Sequence, residues 1–70
     1  MMMRTRESAV AVNKILHKYA DIMMGRLGLP NPERNIYIIT VVVEGTREKV
    51  NSLIEDLKKI KGVKLSALSL

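Results

Sequence analysis

Apolar residues recur along this chain with two different periods, and each change of period marks an element. Val12, Ile15, Leu16 and Tyr19 fall at i, i+3, i+4 and i+7, with Ala9 extending the same stripe, while Asn13, Lys14, His17 and Lys18 take the other side. Thr5 or Ser8 offers a side-chain oxygen to the free amides of a first turn, so the spacing predicts a helix running to about Tyr19. Ile22 to Leu29 reads as a strand weakened by Gly25 and Gly28. Pro30-Asn31-Pro32-Glu33-Arg34-Asn35 is a turn by composition, because its prolines remove donors and its asparagines tolerate tight geometry. Ile36 to Glu44 is the clearest strand, almost wholly β-branched or aromatic.

Gly45 ends that strand and Thr46 can cap a second helix, whose stripe is Val50, Leu53, Ile54, Leu57 and Ile60. Glu55 and Lys59 make a favourably oriented i, i+4 pair on its opposite face. Gly62 supplies a left-handed stop. Val63, Leu65 and Ala67 then alternate with Lys64 and Ser66 in a last strand, the alternation lapsing at Leu68 and Leu70.

The predicted order is α-β-β-α-β. It is one strand short of β-α-β-β-α-β, the ferredoxin-like arrangement with both helices on one face of an antiparallel sheet. The expected class is therefore α+β, a ferredoxin-like sandwich with its first strand missing, since only Met1 to Arg4 precede the first helix. Three explanations stay open: a start further upstream, a neighbouring chain filling the slot, or a last strand moved beside Ile36 to Glu44 through a right-handed crossover.

A sheet with helices on one side should alternate apolar and polar residues along its strands. Ile36 to Glu44 does not: Ile36, Ile38, Thr40 and Val42 point one way and Tyr37, Ile39, Val41 and Val43 the other. Both faces call for burial, and the helices cover one. Association with a second copy is the simplest cover for the other, because a contiguous exposed apolar patch of this size marks an interaction site. The expected interface is Tyr37, Ile39, Val41 and Val43, leaving Ile36, Ile38 and Val42 toward the helices.

Size and composition lead to the same place. Seventy residues make a single domain, 1–70, near the lower limit for independent folding. Such scaffolds usually need a disulfide, a metal or a partner subunit. The chain has no cysteine and one histidine, His17, which is read as solvent-facing, so no metal site is expected and association remains. The absence of cysteine and of any membrane-length apolar run, together with three methionines followed at once by Arg4 and Arg6, makes the cytoplasm the expected compartment.

Charge and motifs narrow the chemistry. The net charge is +5, yet the densest basic segment, Lys58, Lys59, Lys61 and Lys64, lies at the end of the second helix, where cations complement the dipole. A nucleic-acid-binding sheet would present stacked aromatics, and the central strand offers Tyr37 alone, so direct nucleic-acid binding is not expected. No nucleophile elbow, P-loop or paired carboxylate is present, so no catalytic residues and no cofactor are assigned. The most unusual stretch is Gly25-Arg26-Leu27-Gly28-Leu29-Pro30. Glycines in a strand mark a bulge or a close approach, and an arginine between them could hold a carboxylate or phosphate. Gly25, Arg26 and Gly28 are the candidate ligand residues.

Glu7-Ser8-Ala9-Val10, Ile15-Leu16-His17-Lys18-Tyr19, Gly25-Arg26-Leu27-Gly28-Leu29-Pro30 and Gly62-Val63-Lys64, in that order, resemble the iron-only hydrogenase system regulators. These are small bacterial proteins with an ACT-like fold, similar also to the C-terminal domain of the nickel-responsive repressor. The resemblance implies an oligomeric, ACT-like regulatory or sensing module in an anaerobic bacterium, an accessory in transcriptional control. Its partners would be copies of itself and a small-molecule effector or protein. It carries over no site: the repressor's histidine and cysteine ligands and its ribbon-helix-helix segment have no counterpart in this chain. A different class, a structural interaction module with no small-molecule ligand, is the alternative expectation.

Overall fold

The computed structural model describes residues 1–69. Its elements in chain order are β1 (Met2–Met3), α1 (Arg6–Lys18), a 3-10 turn (Ala20–Ile22), β2 (Met23–Asn31), β3 (Ile36–Val43) and α2 (Arg47–Lys58). Each helix starts at a threonine. Thr5 Oγ1 accepts from the Ser8 amide at 3.1 Å, and Thr46 Oγ1 accepts from the Lys49 amide at 3.2 Å. These contacts satisfy donors that have no partner inside the helix.

The two long strands form an antiparallel hairpin in register from Met23 opposite Val43 to Asn31 opposite Ile36, with one irregularity between Met23 and Gly25. The hairpin is tighter than composition implied. Pro30 and Asn31 belong to β2, and Asn35 takes the left-handed conformation (φ 53°) that asparagine tolerates. β1 pairs antiparallel with the other edge of β3, Met2 opposite Ile38 and Met3 opposite Tyr37, so the sheet order is β1-β3-β2.

Two expectations about the chain ends are corrected here. The first strand is present, reduced to Met2–Met3 at the edge of the three-stranded sheet, with only the Lys64 bridge beyond it. The last strand is reduced to one antiparallel bridge, in which Met2 and Lys64 exchange amide and carbonyl at 2.9 Å each way. Successive residues of a strand direct their backbone groups to opposite sides. Met1 bonds Ile39 while Met2 bonds Lys64, so Lys64 lies on the far side of β1 from β3.

Both helices pack on one face of the sheet. Val12 and Leu16 of α1, Leu53 and Leu57 of α2, Met3 and Ile39 are buried in one cluster with Tyr19 and Ile22. Polar contacts tie both ends of α1 to the C-terminal end of α2. Ser8 Oγ, buried at the start of α1, donates to the Lys61 carbonyl at 2.9 Å, just beyond α2 and beside Gly62, which sits at φ +84°. At the other end the Tyr19 hydroxyl donates to Asp56 Oδ2 at 2.7 Å. That bond pulls Asp56 below its ordinary carboxylate value, with help from the charges of Lys18 and Lys59. The same bond pushes the Tyr19 phenol above its own ordinary value, burial and the carboxylate's charge adding to it.

The faces of β3 are the reverse of the expectation. Ile39 is buried against the helices, and Tyr37, Val41 and Val43 pack beside it, half-buried. Ile38, Thr40 and Val42 are exposed on the open face, with Ile36 half-buried at its edge. The physical reason is Thr40, the lone polar residue of the strand. Its hydroxyl carries no desolvation cost on the open face, whereas under the helices it would need a partner.

Candidate functional site

The most distinctive feature of the described residues is the sheet face that the helices leave bare. Directly paired residues on adjacent strands share a face. The register therefore groups Gly25, Leu27, Leu29 and Asn31 of β2 with Val42, Thr40, Ile38 and Ile36 of β3. Met2, opposite Ile38, extends the group onto β1. Leu27 is 56% exposed, Leu29 50% and Val42 57%, and Ile38 lies beside them. Leu29 faces Ile38 across the hairpin and Leu27 faces Thr40, so the apolar side chains form one continuous surface. Scattered exposed leucines are ordinary, but a contiguous group on one sheet face is not.

The expected ligand residues are not brought together. Gly25 lies opposite Val42 on the open face, with space where a side chain would be. Arg26 and Gly28, opposite Val41 and Ile39, lie on the helix side. There the Arg26 guanidinium donates to Asn13 Oδ1 of α1 at 2.6 Å. Gly28 makes room for Tyr37, since a Cβ at residue 28 would come within 2.6 Å of the tyrosine hydroxyl. Arg26 and Gly28 thus each have a packing reason of their own, and Gly25 has none.

The expected interface residues Tyr37, Ile39, Val41 and Val43 line the core side. The surface they were meant to form is carried by Leu27, Leu29, Ile38 and Val42, two of them on a strand read only as weak. The signal for Leu27 and Leu29 was their period of two against Arg26 and Gly28.

Other places offer less. A shallow hollow where the 3-10 turn meets the β3–α2 connection presents Asp21, Glu44 and Thr46, but Asp21 is already paired with Lys49, which holds its carboxyl below the usual range. His17 is exposed on α1 beside Val10 and Lys14. Among the described residues no three His, Cys, Asp or Glu side chains gather where they could hold a metal ion. No helix among them is long and apolar enough to cross a membrane.

The geometry defines a class: a small α+β chain with two helices on one face of an antiparallel sheet and a bare apolar face opposite. A family model described as "TM1266-like: Iron-only hydrogenase system regulator, putative" matches residues 1–67, and the chain belongs to this family. Among solved structures it is similar to the uncharacterized protein TM1266 from Thermotoga maritima, at 26% identity and a TM-score of 0.85. That match covers 90% of this chain and 80% of the other. No curated protein matches the chain.

Proposed function

We propose that this chain is a regulatory module of the iron-only hydrogenase system that acts by assembling through its bare sheet face, an accessory in transcriptional control with no DNA-binding element and no bond-making chemistry of its own. The observation that carries the reading is the continuous surface of Leu27, Leu29, Ile38 and Val42, on a chain too small to leave such a face in water at no cost. The family description supplies the regulated system. The strand order supports a ferredoxin-like, ACT-like sandwich in one domain: β1 lies between β3 and the Lys64 bridge, as the first strand of that arrangement lies between the third and fourth. The cytoplasm is the compartment where such a regulator works.

One observation favours a narrower version, in which the module docks on proteins and takes no small-molecule ligand. Arg26 already donates to Asn13, Gly28 is required by Tyr37, and the three residues do not converge on one pocket, which counts against a small-molecule site in the expected ligand stretch. A direct test uses a host that carries the hydrogenase system. Deleting the coding sequence should change hydrogenase transcript levels, and the unaltered chain should restore them where Val42→Lys does not. Unchanged transcripts on deletion, or full restoration by Val42→Lys, would refute the reading. Thermal shift across a small-molecule panel separates the two versions, because a ligand of the folded state raises apparent stability.

A further inference from the structure

β2 lies at the edge of the sheet, next to β3 alone, and every residue of it after Met23 is exposed. The backbone phase of its free side follows from β3. Ile39 exchanges amide and carbonyl with Met1 on the β1 side, and the Glu44 amide bonds the Ile22 carbonyl on the β2 side. Successive strand residues alternate in direction, so Thr40 and Val42 face β2, where they meet Leu27 and Gly25. Arg26 and Gly28 therefore direct their amides and carbonyls outward, and among the described residues nothing receives them. Open edges are commonly blunted by proline, a bulge or charge. Here Pro30 and the irregularity after Met23 stand toward the ends of β2, and Arg26 is tied to Asn13 on the helix side, so the middle of the edge is unguarded. Gly25 adds an independent observation. No positive φ and no close neighbour requires a glycine there, and its missing side chain leaves open space on the bare face.

We infer that a second copy of the chain pairs along this edge, β2 against β2, antiparallel about a two-fold axis perpendicular to the sheet. Symmetry and chemistry leave one register, because outward residues must meet outward residues. Arg26 against the partner's Arg26 sets like charges directly opposite. Against Pro30 it meets a residue without an amide, and against Met24 it brings the irregularity into the ladder. Arg26 against the partner's Gly28 avoids all three. Arg26 and Gly28 then exchange both bonds with the partner's Gly28 and Arg26, and Pro30 falls at the end of the ladder. On the bare face the same register sets Leu29 over the partner's Gly25 and Leu27 against the partner's Leu27. Directly opposite side chains on neighbouring strands lie ~4.5–5.5 Å apart at Cβ, so the leucine fills the space that the glycine leaves. That gives Gly25 its reason.

The edge contact stands on this geometry alone; its place in the assembly rests on the face-to-face reading above. A single edge pair is short, well below the ~1,200 Å² of a stable interface, and does not hold two chains together at micromolar concentration. Two chains joined face to face carry two such edges, and two of these pairs meet through both at once, so the second contact follows the first at high effective concentration. The edge axis is perpendicular to the sheet and the face axis runs between the sheets. Two perpendicular two-fold axes close the assembly at four copies.

Sedimentation over a concentration series, with residue-resolved hydrogen exchange on the same samples, tests this. The unaltered chain should reach four copies. Its Gly28 amide should exchange on the order of a hundred-fold more slowly at about a hundred times the midpoint of the two-to-four step than well below it. Arg26→Pro removes an outward amide that no residue of the same chain uses, so it should stop at two copies with a fast Gly28 amide and an unchanged circular dichroism spectrum. Arg26→Val, which keeps the amide, should reach four. Val42→Lys, monomeric, should leave the Gly28 amide fast. A fast Gly28 amide in the assembled unaltered chain would overturn the edge pairing and leave the face reading standing, and this result decides even where Arg26→Pro does not fold. Two copies at most, with the Gly28 amide protected, would keep the edge pairing and overturn the face reading. Four copies of Arg26→Pro, or a protected Gly28 amide in monomeric Val42→Lys, would also overturn the edge pairing. A monomer at every concentration would sink both.

Discussion

Val42→Lys is the substitution on which the open-face account makes its largest and cleanest demand. Val42 is 57% exposed in the single chain. Covering the remainder in an assembly recovers about half of the ~1.5–3 kcal/mol that full burial of such a side chain provides, or ~1 kcal/mol per copy. A lysine removes that gain and puts an unpaired charge where water is excluded, at a further cost of several kcal/mol. In a two-fold assembly both copies carry the change. A total loss of at least ~3 kcal/mol raises the dissociation constant by two decades or more, at about 1.4 kcal/mol per decade. In the single chain the lysine stands in solvent on a strand, so the fold should persist. Sedimentation equilibrium should therefore show monomer where the unaltered chain is assembled, with an unchanged far-ultraviolet circular dichroism spectrum. Val41→Lys is the control: Val41 packs against the buried cluster on the helix side, so this variant should unfold. If Val42→Lys assembled like the unaltered chain, the bare face would not be the contact surface.

Leu53→Ala or Leu57→Ala should cost on the order of 2–5 kcal/mol in chemical denaturation, since both side chains are buried between the helices and the sheet. Lys58→Ala, an exposed change, should stay within about 0.5 kcal/mol. Gly28→Ala should destabilise by roughly 1–3 kcal/mol, because the new methyl meets the Tyr37 hydroxyl, and Tyr37→Phe should recover part of that loss. The Tyr19–Asp56 contact should make stability fall at both ends of the pH scale. Asp56 is depressed in the fold, so its contribution is present above its unfolded pKa and is lost as pH falls through the lower folded value. Tyr19 is raised, so its contribution holds below its unfolded pKa and is lost as pH rises through the higher folded value. Tyr19→Phe should flatten both limbs in pH-dependent denaturation, and steep limbs in that variant would assign them to other groups.

The helices were legible because their evidence is local. Val12, Leu16, Leu53 and Leu57 recur at helical spacing behind Thr5 and Thr46, and those stripes are buried. The central strand was legible from its β-branched run, but its faces were not, because seven of the eight residues are apolar. Thr40 was the one discriminating residue, and it marks the open side. β1 has too few residues to display a period; Met2 and Met3 are a strand only because Ile38 and Tyr37 lie beside them. The need for Gly28 is invisible in one dimension. It arises from Tyr37, across the hairpin and two residues along it.

The central claim, that the bare face of Leu27, Leu29, Ile38 and Val42 is covered by another copy, is tested most directly by sedimentation equilibrium of the unaltered chain at micromolar concentration. The account predicts a dimer or larger species with no appreciable monomer. A folded, monodisperse monomer across that range would contradict it.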